Sequence, residues 1–184
     1  MAREVTAMSQ TSGDRIKFLR SLRAVREYTS EAVSDDVVRD ILEVGRWSGS
    51  ASNAQPTEVV VVRDQEIKQK MADNGARPAA GAALTLLVVT PGDPEKHDLE
   101  LFDNGRLVER LLLAAKAHGL GANVATLKGQ GPDLIKAALG IPPERRVWTV
   151  VTIGHIDKAA RRARPKSPAA GRKATEAFAH WSRF

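Results

Sequence analysis

Nine consecutive residues, Ser48-Gly49-Ser50-Ala51-Ser52-Asn53-Ala54-Gln55-Pro56, crowd hydroxyls and carboxamides onto a chain segment with very small side chains. Small residues let the backbone approach a ligand closely, and hydroxyl, amide and free N–H groups can pair with the polar edge of a flat molecule. Pro56 pushes Gln55 out of the helical region, so helix must give way to extended chain here. The apolar run at residues 59–62 reads as a strand that would hold the loop still. By turn chemistry alone the same residues also suit an ordinary surface loop between a helix and a strand.

Other chemistries lack their residues. The chain has no cysteine, which excludes disulfides, thiolate catalysis and cysteine-based zinc or iron–sulfur sites. His97, His118, His155 and His180 form no i, i+4 pair and have no carboxylate at ligand spacing, so no metal site is expected. No Gly-x-Gly-x-x-Gly follows a strand, no Gly-Lys-Ser or Gly-Lys-Thr occurs, and none of the loop serines sits in a Gly-x-Ser-x-Gly elbow. Asp35-Asp36 follows Ser34 and suits a helix N-terminus better than acid–base work.

At 184 residues and 42% hydrophobic content, the chain is long enough for one packed core and short for two. The expected organisation is a flexible start at residues 1–13 and one domain over residues 14–184, ending in a basic arm from residue 158. No apolar run approaches the roughly 20 residues that cross a bilayer, and residues 1–13 lack the apolar core of a signal peptide. A soluble, cytoplasmic protein is the expectation. The net charge of +6 is concentrated: between residues 158 and 184 eight basic side chains face one acid, Glu176, leaving the body near −1. Such an arm is solvated, meets phosphate, or meets nucleic acid. Aromatic residues are not interleaved through residues 158–173, which argues against nucleic acid.

The elements that must position the loop alternate. Residues 14–22 read as a short helix, and Ser34 caps a second whose Val37, Val38, Ile41, Leu42 and Val44 follow helical spacing. Strands are expected at residues 58–63, 84–90 and 147–153, with the second apolar on both faces and hence covered on both. Asp64 caps a helix running to Met71; Pro132 opens another that Gly140 closes. The longest helix spans roughly residues 98–118. From Leu107 to Ala117 it is apolar on nearly its whole circumference, which predicts burial all round and a second subunit over one side.

The loop resembles the Pro-Ser-Ala-x-Asn-x-Gln-Pro-Trp segment of the FMN-dependent nitroreductase family, and further likenesses follow in the family's order. Arg23-Ala24-Val25-Arg26-Glu27-Tyr28 resembles its Arg-x-Ser-x-Arg-x-Phe signature. The stretch Leu111-Leu112-Leu113-Ala114-Ala115-Lys116-Ala117-His118-Gly119-Leu120-Gly121-Ala122 is similar to its central helix and Gly-Leu-Gly exit, and Leu139-Gly140-Ile141-Pro142 to its Leu-Gly-Ile-Pro turn. Arg164-Pro165-Lys166-Ser167-Pro168 resembles the Arg-Pro-Arg-Lys-Pro arm, and His180-Trp181-Ser182-Arg183-Phe184 the terminal His-Trp-x-Arg-Trp.

The resemblance implies an α+β, nitroreductase-like fold: a central mixed, mainly antiparallel sheet flanked by helices, with a C-terminal arm embracing the partner of a homodimer. It implies an NAD(P)H-dependent flavin oxidoreductase with FMN as cofactor, passing two electrons to a nitroaromatic, quinone or similar small planar acceptor by a ping-pong cycle. Flavin carries such chemistry itself, so no catalytic side chain is expected; backbone near Lys128 and Gly129 would face N5. The implied cofactor contacts are Arg23, Ala24 and Arg26 at the phosphate, ribityl chain or ring edge, Ser50, Ala51, Asn53 and Gln55 on the ring from the neighbouring subunit, and Arg164 with Lys166 at the phosphate. Departures are also present: Leu22 stands where many members have the first arginine, Ala24 where serine is usual, and Thr57 where an aromatic often follows Gln-Pro. These leave room for two alternatives, a specialised flavin or deazaflavin dehydrogenase on the same fold and a non-catalytic protein that binds flavin or a polyanion.

Overall fold

The computed structural model describes residues 12–165 and 171–183. Its elements are α1 (Ser12–Arg20), α2 (Asp35–Arg46), β1 (Glu58–Val62), α3 (Gln65–Asp73), β2 (Leu84–Thr90), α4 (His97–Ala117), β3 (Gly121–Thr126), α5 (Gly131–Leu139), β4 (Arg146–Gly154) and α6 (Lys158–Ala163). The four strands form one sheet in the order β1-β2-β4-β3, and every ladder is antiparallel. The mixed character expected of the sheet is therefore absent among the described residues. β2 is buried at all seven positions, as its unbroken apolar run requires of a strand covered on both faces.

The α2 and α4 helices cover one face, where Ile41, Leu84, Leu86, Leu111, Val151 and Ile153 form the centre of the packing. On the other face α3 and α5 close over Met71, Leu87, Leu127, Ile135 and Val150. The helix starts follow their caps. Ser34 Oγ accepts the Val37 N–H at 3.4 Å, Asp64 Oδ1 accepts that of Ile67 at 2.9 Å, and Gly140 ends α5 with a φ of 66°. Lys68 is buried on α3 and donates to the Ala82 carbonyl at 2.7 Å; its burial pulls the ammonium pKa down.

Residues 12 and 13, assigned above to a flexible start, begin α1, and residues 1–11 lie outside the described chain. Within the single chain α4 keeps one side open, the side the expected second subunit would cover: Leu107, Val108, Leu111, Ala114 and Ala115 are buried, Leu112 and Leu113 half-buried, and Glu109 and Arg110 exposed. The outer stripe of this helix also carries Leu99 and Phe102, which are 52% and 66% exposed. After Asp157 the chain still makes one short helix, α6, but it buries no residue. Beyond it Phe178 and Trp181 project into solvent. No helix among the described residues is long and apolar enough to cross a membrane.

Candidate functional site

The polar loop leaves α2 at Trp47 and turns back on itself before β1. Its N–H groups are shared out locally: Ser50 Oγ accepts from the Gln55 N–H at 2.8 Å, the Ser50 carbonyl from Asn53 at 3.0 Å, and the Ala51 carbonyl from Ala54 at 3.0 Å. This winding puts Ser52, Asn53 and Gln55 in the left-handed region, with φ of 51°, 54° and 50°. Such backbone costs about 1–3 kcal/mol per non-glycine residue unless the surroundings over-determine it. One determinant is α4, whose buried Asp103 accepts the Ala51 N–H at 3.2 Å. Another is Arg106, packed so closely on Gly49 that a Cβ there would sit 2.5 Å from its guanidinium nitrogen. The Gln55 carboxamide is partly used inside the loop, donating to the Asn53 carbonyl at 3.3 Å. The Asn53 carboxamide makes no such bond and is exposed.

Between α2, this loop and α4 lies a cavity of about 520 Å³. Leu42, Val59, Leu107 and Leu111 form apolar walls, Ser50, Gln55 and Asp103 supply polar ones, and Thr57 lines the exit toward β1. Gly45 lets α4 come close, since a Cβ there would meet Leu111 at 2.7 Å. Ser48 Oγ is buried beside the cavity with no hydrogen-bond partner. At the rim Glu43 accepts from Arg46 at 2.6 and 2.8 Å and from the Trp47 indole at 2.9 Å; these bonds hold its carboxyl near pKa 2.

The segment from Arg23 to Tyr28 lies at the other end of the sheet. Val25 donates to the Ala122 carbonyl at 2.9 Å, and Gly121 must be glycine because a Cβ would fall 2.6 Å from the Val25 side chain. Arg23 is committed locally, donating to the Arg20 and Leu22 carbonyls at 2.8 and 2.7 Å. Ala24 and Arg26 are exposed, and the Arg26 side chain has no ion-pair partner among the described residues. Arg164 returns to this place and meets Glu27 at 3.2 Å. Lys166 lies outside the described residues.

Tyr28 anchors this segment, donating to the Val25 carbonyl at 2.6 Å and sharing a hydrogen bond with Thr152 Oγ1 at 2.7 Å. Burial pushes its phenol up to about 12 from an ordinary 10.0. The raised value favours the neutral phenol in the folded state, so its contribution is whole below pH 10 and is lost as pH rises through about 12. Stability should fall by about 2–3 kcal/mol over that window. Because Tyr28 is the only tyrosine, tyrosinate absorbance reads it alone; titration near the ordinary value would contradict the packing.

Lys128 and Gly129 form a third group. They follow β3 at the end opposite Ala122. The Lys128 N–H is taken by the Asn74 carbonyl at 2.8 Å, so it is not available to a ligand, whereas the Gly129 N–H makes no hydrogen bond among the described residues. Gly129 has a φ of 54° and open space where a Cβ would stand. The sequence-predicted residues thus fall into three places within one chain, and among the described residues no hydrogen bond or ion pair links these places. Asp103, Arg106, Leu107 and Leu111 were not singled out as site residues. No spacing in α4 marks Asp103 and Arg106, because the helix carries polar residues along most of its length.

An antiparallel sheet between two helix pairs, with a polar loop entering its edge strand and an arginine segment at the far end, defines a nitroreductase-like fold. The chain is nitroreductase-like in sequence as well: the Nitroreductase family model matches residues 19–76, which hold both the arginine segment and the loop. A relative from Archaeoglobus fulgidus, provisionally named NADH dehydrogenase/NAD(P)H nitroreductase, is 28% identical over 146 residues, covering 76% of this chain and 84% of its own. A provisionally named nitroreductase of Desulfovibrio desulfuricans, solved in complex with FMN, is 28% identical with a TM-score of 0.75, covering 95% of this chain and 99% of that one. A Bacteroides thetaiotaomicron structure with a TM-score of 0.78 over 95% of this chain and all of its own shares the fold at 20% identity.

Proposed function

We propose that the protein is an FMN-dependent NAD(P)H oxidoreductase. It acts as a soluble, cytoplasmic homodimer that reduces a nitroaromatic, quinone or similar planar acceptor by two electrons in a ping-pong cycle. Support comes from the FMN complex of a relative alike over nearly the whole chain and from the nitroreductase name of another. The observation in this chain that carries the reading is the division of its donors. The loop, pinned to Asp103, and the exposed Arg26 beside Arg164 lie at opposite ends of the sheet, as two halves of a site completed by a second copy.

The donor set fits the cofactor. Arg26 presents a guanidinium with no carboxylate partner among the described residues, and its planar fork suits a phosphate. Arg164, now against Glu27, can turn to the same anion, with Lys166 expected alongside. Asn53 offers both a donor and an acceptor, which the alternating edge of a flavin pyrimidine requires, and Ser50 and Ala51 frame it. Gly129 supplies a free N–H on a backbone with no side chain in the way. A bound flavin supplies the electron-transfer chemistry, which leaves the protein to bind, orient and exclude water. The apolar walls of Leu107 and Leu111 serve that last role.

The experiment that tests this reading compares FMN with riboflavin. Arg26→Ala should weaken FMN by about 1.5–3 kcal/mol, the range for a hydrogen bond to a charged group, and riboflavin by far less. Equal losses for the two ligands would place Arg26 away from the phosphate.

A further inference from the structure

We propose that a second cavity, away from the polar loop, is a binding site for aromatic carboxylates, with the ring against Trp148 and the carboxylate received by Lys136 and Arg145. Such a site is independent of the redox reading above.

The cavity, of about 490 Å³, opens between the start of α4, one side of α5 and the turn that leads into β4. None of its lining residues borders the cavity beside the polar loop, and none is among the expected cofactor contacts. Its size is in the range of small-molecule sites. Leu101, Pro132, Pro143 and Val147 give it apolar walls. Trp148 is the exception in β4: from Thr149 onward the strand is buried, whereas this residue borders the cavity and is 44% exposed. An indole is a broad flat surface on which a second ring can stack, and covering it removes apolar area from water.

Three cations share the wall, and their partners separate them. Arg146 is spent on the buried Glu100, and that pair belongs to the fold. Lys136 and Arg145 are different. Their side chains are 14% and 23% exposed, while those of their partners Asp133 and Glu58 are 82% and 71% exposed. The carboxylates of both pairs therefore stand in water and do not line the cavity, and pairs with so exposed a partner resist exchange only weakly. Donors also remain. Of its three N–H groups Lys136 gives one to the Pro143 carbonyl at 2.7 Å and one to Asp133 at 2.9 Å. Arg145 meets Glu58 through a single guanidinium nitrogen among the described residues, so the rest of its planar fork can take a carboxylate. Glu144 is the one acid on the wall, and it is exposed and screened by water. A flat acid is met in this cavity by an indole, aliphatic walls and two cations with donors to spare.

The test titrates naphthoate and its uncharged amide, naphthamide, calorimetrically into the full-length protein, with and without saturating FMN. The acid should bind at least about tenfold tighter than the amide, equivalent to about 1.4 kcal/mol, and FMN should leave its affinity within about twofold. Replacing both cations, Lys136→Gln with Arg145→Gln, should bring the two probes within about threefold of each other. Trp148→Leu should weaken both probes by about fivefold or more. No saturable binding of the acid, equal affinities for acid and amide, displacement of the acid by FMN, or a preference and an affinity untouched by these replacements would each overturn the proposal. The unaltered protein decides the first three even if a variant fails to fold. Absence of FMN binding would count against the redox reading and leave this site standing, because the naphthoate titration without flavin is read separately.

Discussion

Replacing Glu100 with alanine is expected to destabilise the fold by about 3–5 kcal/mol, the usual cost of removing one partner from a buried ion pair. Glu100 is 5% exposed on the first turn of α4 and accepts from Thr90 Oγ1 at 2.7 Å, the Gly92 and Asp93 N–H groups at 3.0 Å each, and Arg146 at 2.8 Å. It ties the ends of β2 and β4 to the helix that carries Asp103 one turn further on. Alanine strands Arg146 without its buried counter-ion and leaves two backbone donors unmade. Since domains of this size are stable by only about 5–15 kcal/mol, the variant should melt far earlier in a denaturant series. A loss under about 1 kcal/mol would mean that the carboxylate is dispensable. Glu100→Gln, which keeps one acceptor oxygen, turns the other into a donor and loses the charge, should fall between.

Two defective proteins should repair each other when mixed. Arg26→Glu places a negative charge where phosphate is expected, and Asn53→Asp replaces a donor-acceptor group by an acceptor-only one; each alone should weaken FMN by tenfold or more, about 1.4 kcal/mol. If one site draws Arg26 from one chain and Asn53 from the other, a mixed dimer holds one doubly altered site and one intact site. Refolding an equal mixture should then restore about a quarter of all sites to full affinity, as expected for two-fold symmetric pairing. Within a single-chain site no such recovery can occur. A mixture that binds no better than its components would therefore contradict the shared site.

Much of the architecture was legible because it depends on local chemistry. Three of the four strands announce themselves as apolar runs, whereas β3, Gly-Ala-Asn-Val-Ala-Thr, carries no such run and was not expected; Ser34, Asp64 and the Pro132–Gly140 pair mark helix ends, and Ser48 to Pro56 can be read as a loop from Pro56 alone. The interior of α4 was not legible. Glu100, Asp103 and Asn104 are polar residues in a helix that looks apolar further on, and their burial is decided by partners that no local spacing reveals: Gly92, Ala51 and Thr149. Gln55 shows the same limit, since a carboxamide suited to a ligand is half used within its own turn. Arg23 fits a phosphate by type, yet it caps the chain after α1. Residue type states what a side chain can do; its neighbours decide what it is free to do.

The central claim, that this chain binds FMN at a site shared between two copies, is met most directly by titrating the full-length protein with FMN and following flavin fluorescence alongside sedimentation. The account predicts saturation at one FMN per chain on a particle of two chains. Absence of saturable binding, or saturation on a stable single chain, would contradict it.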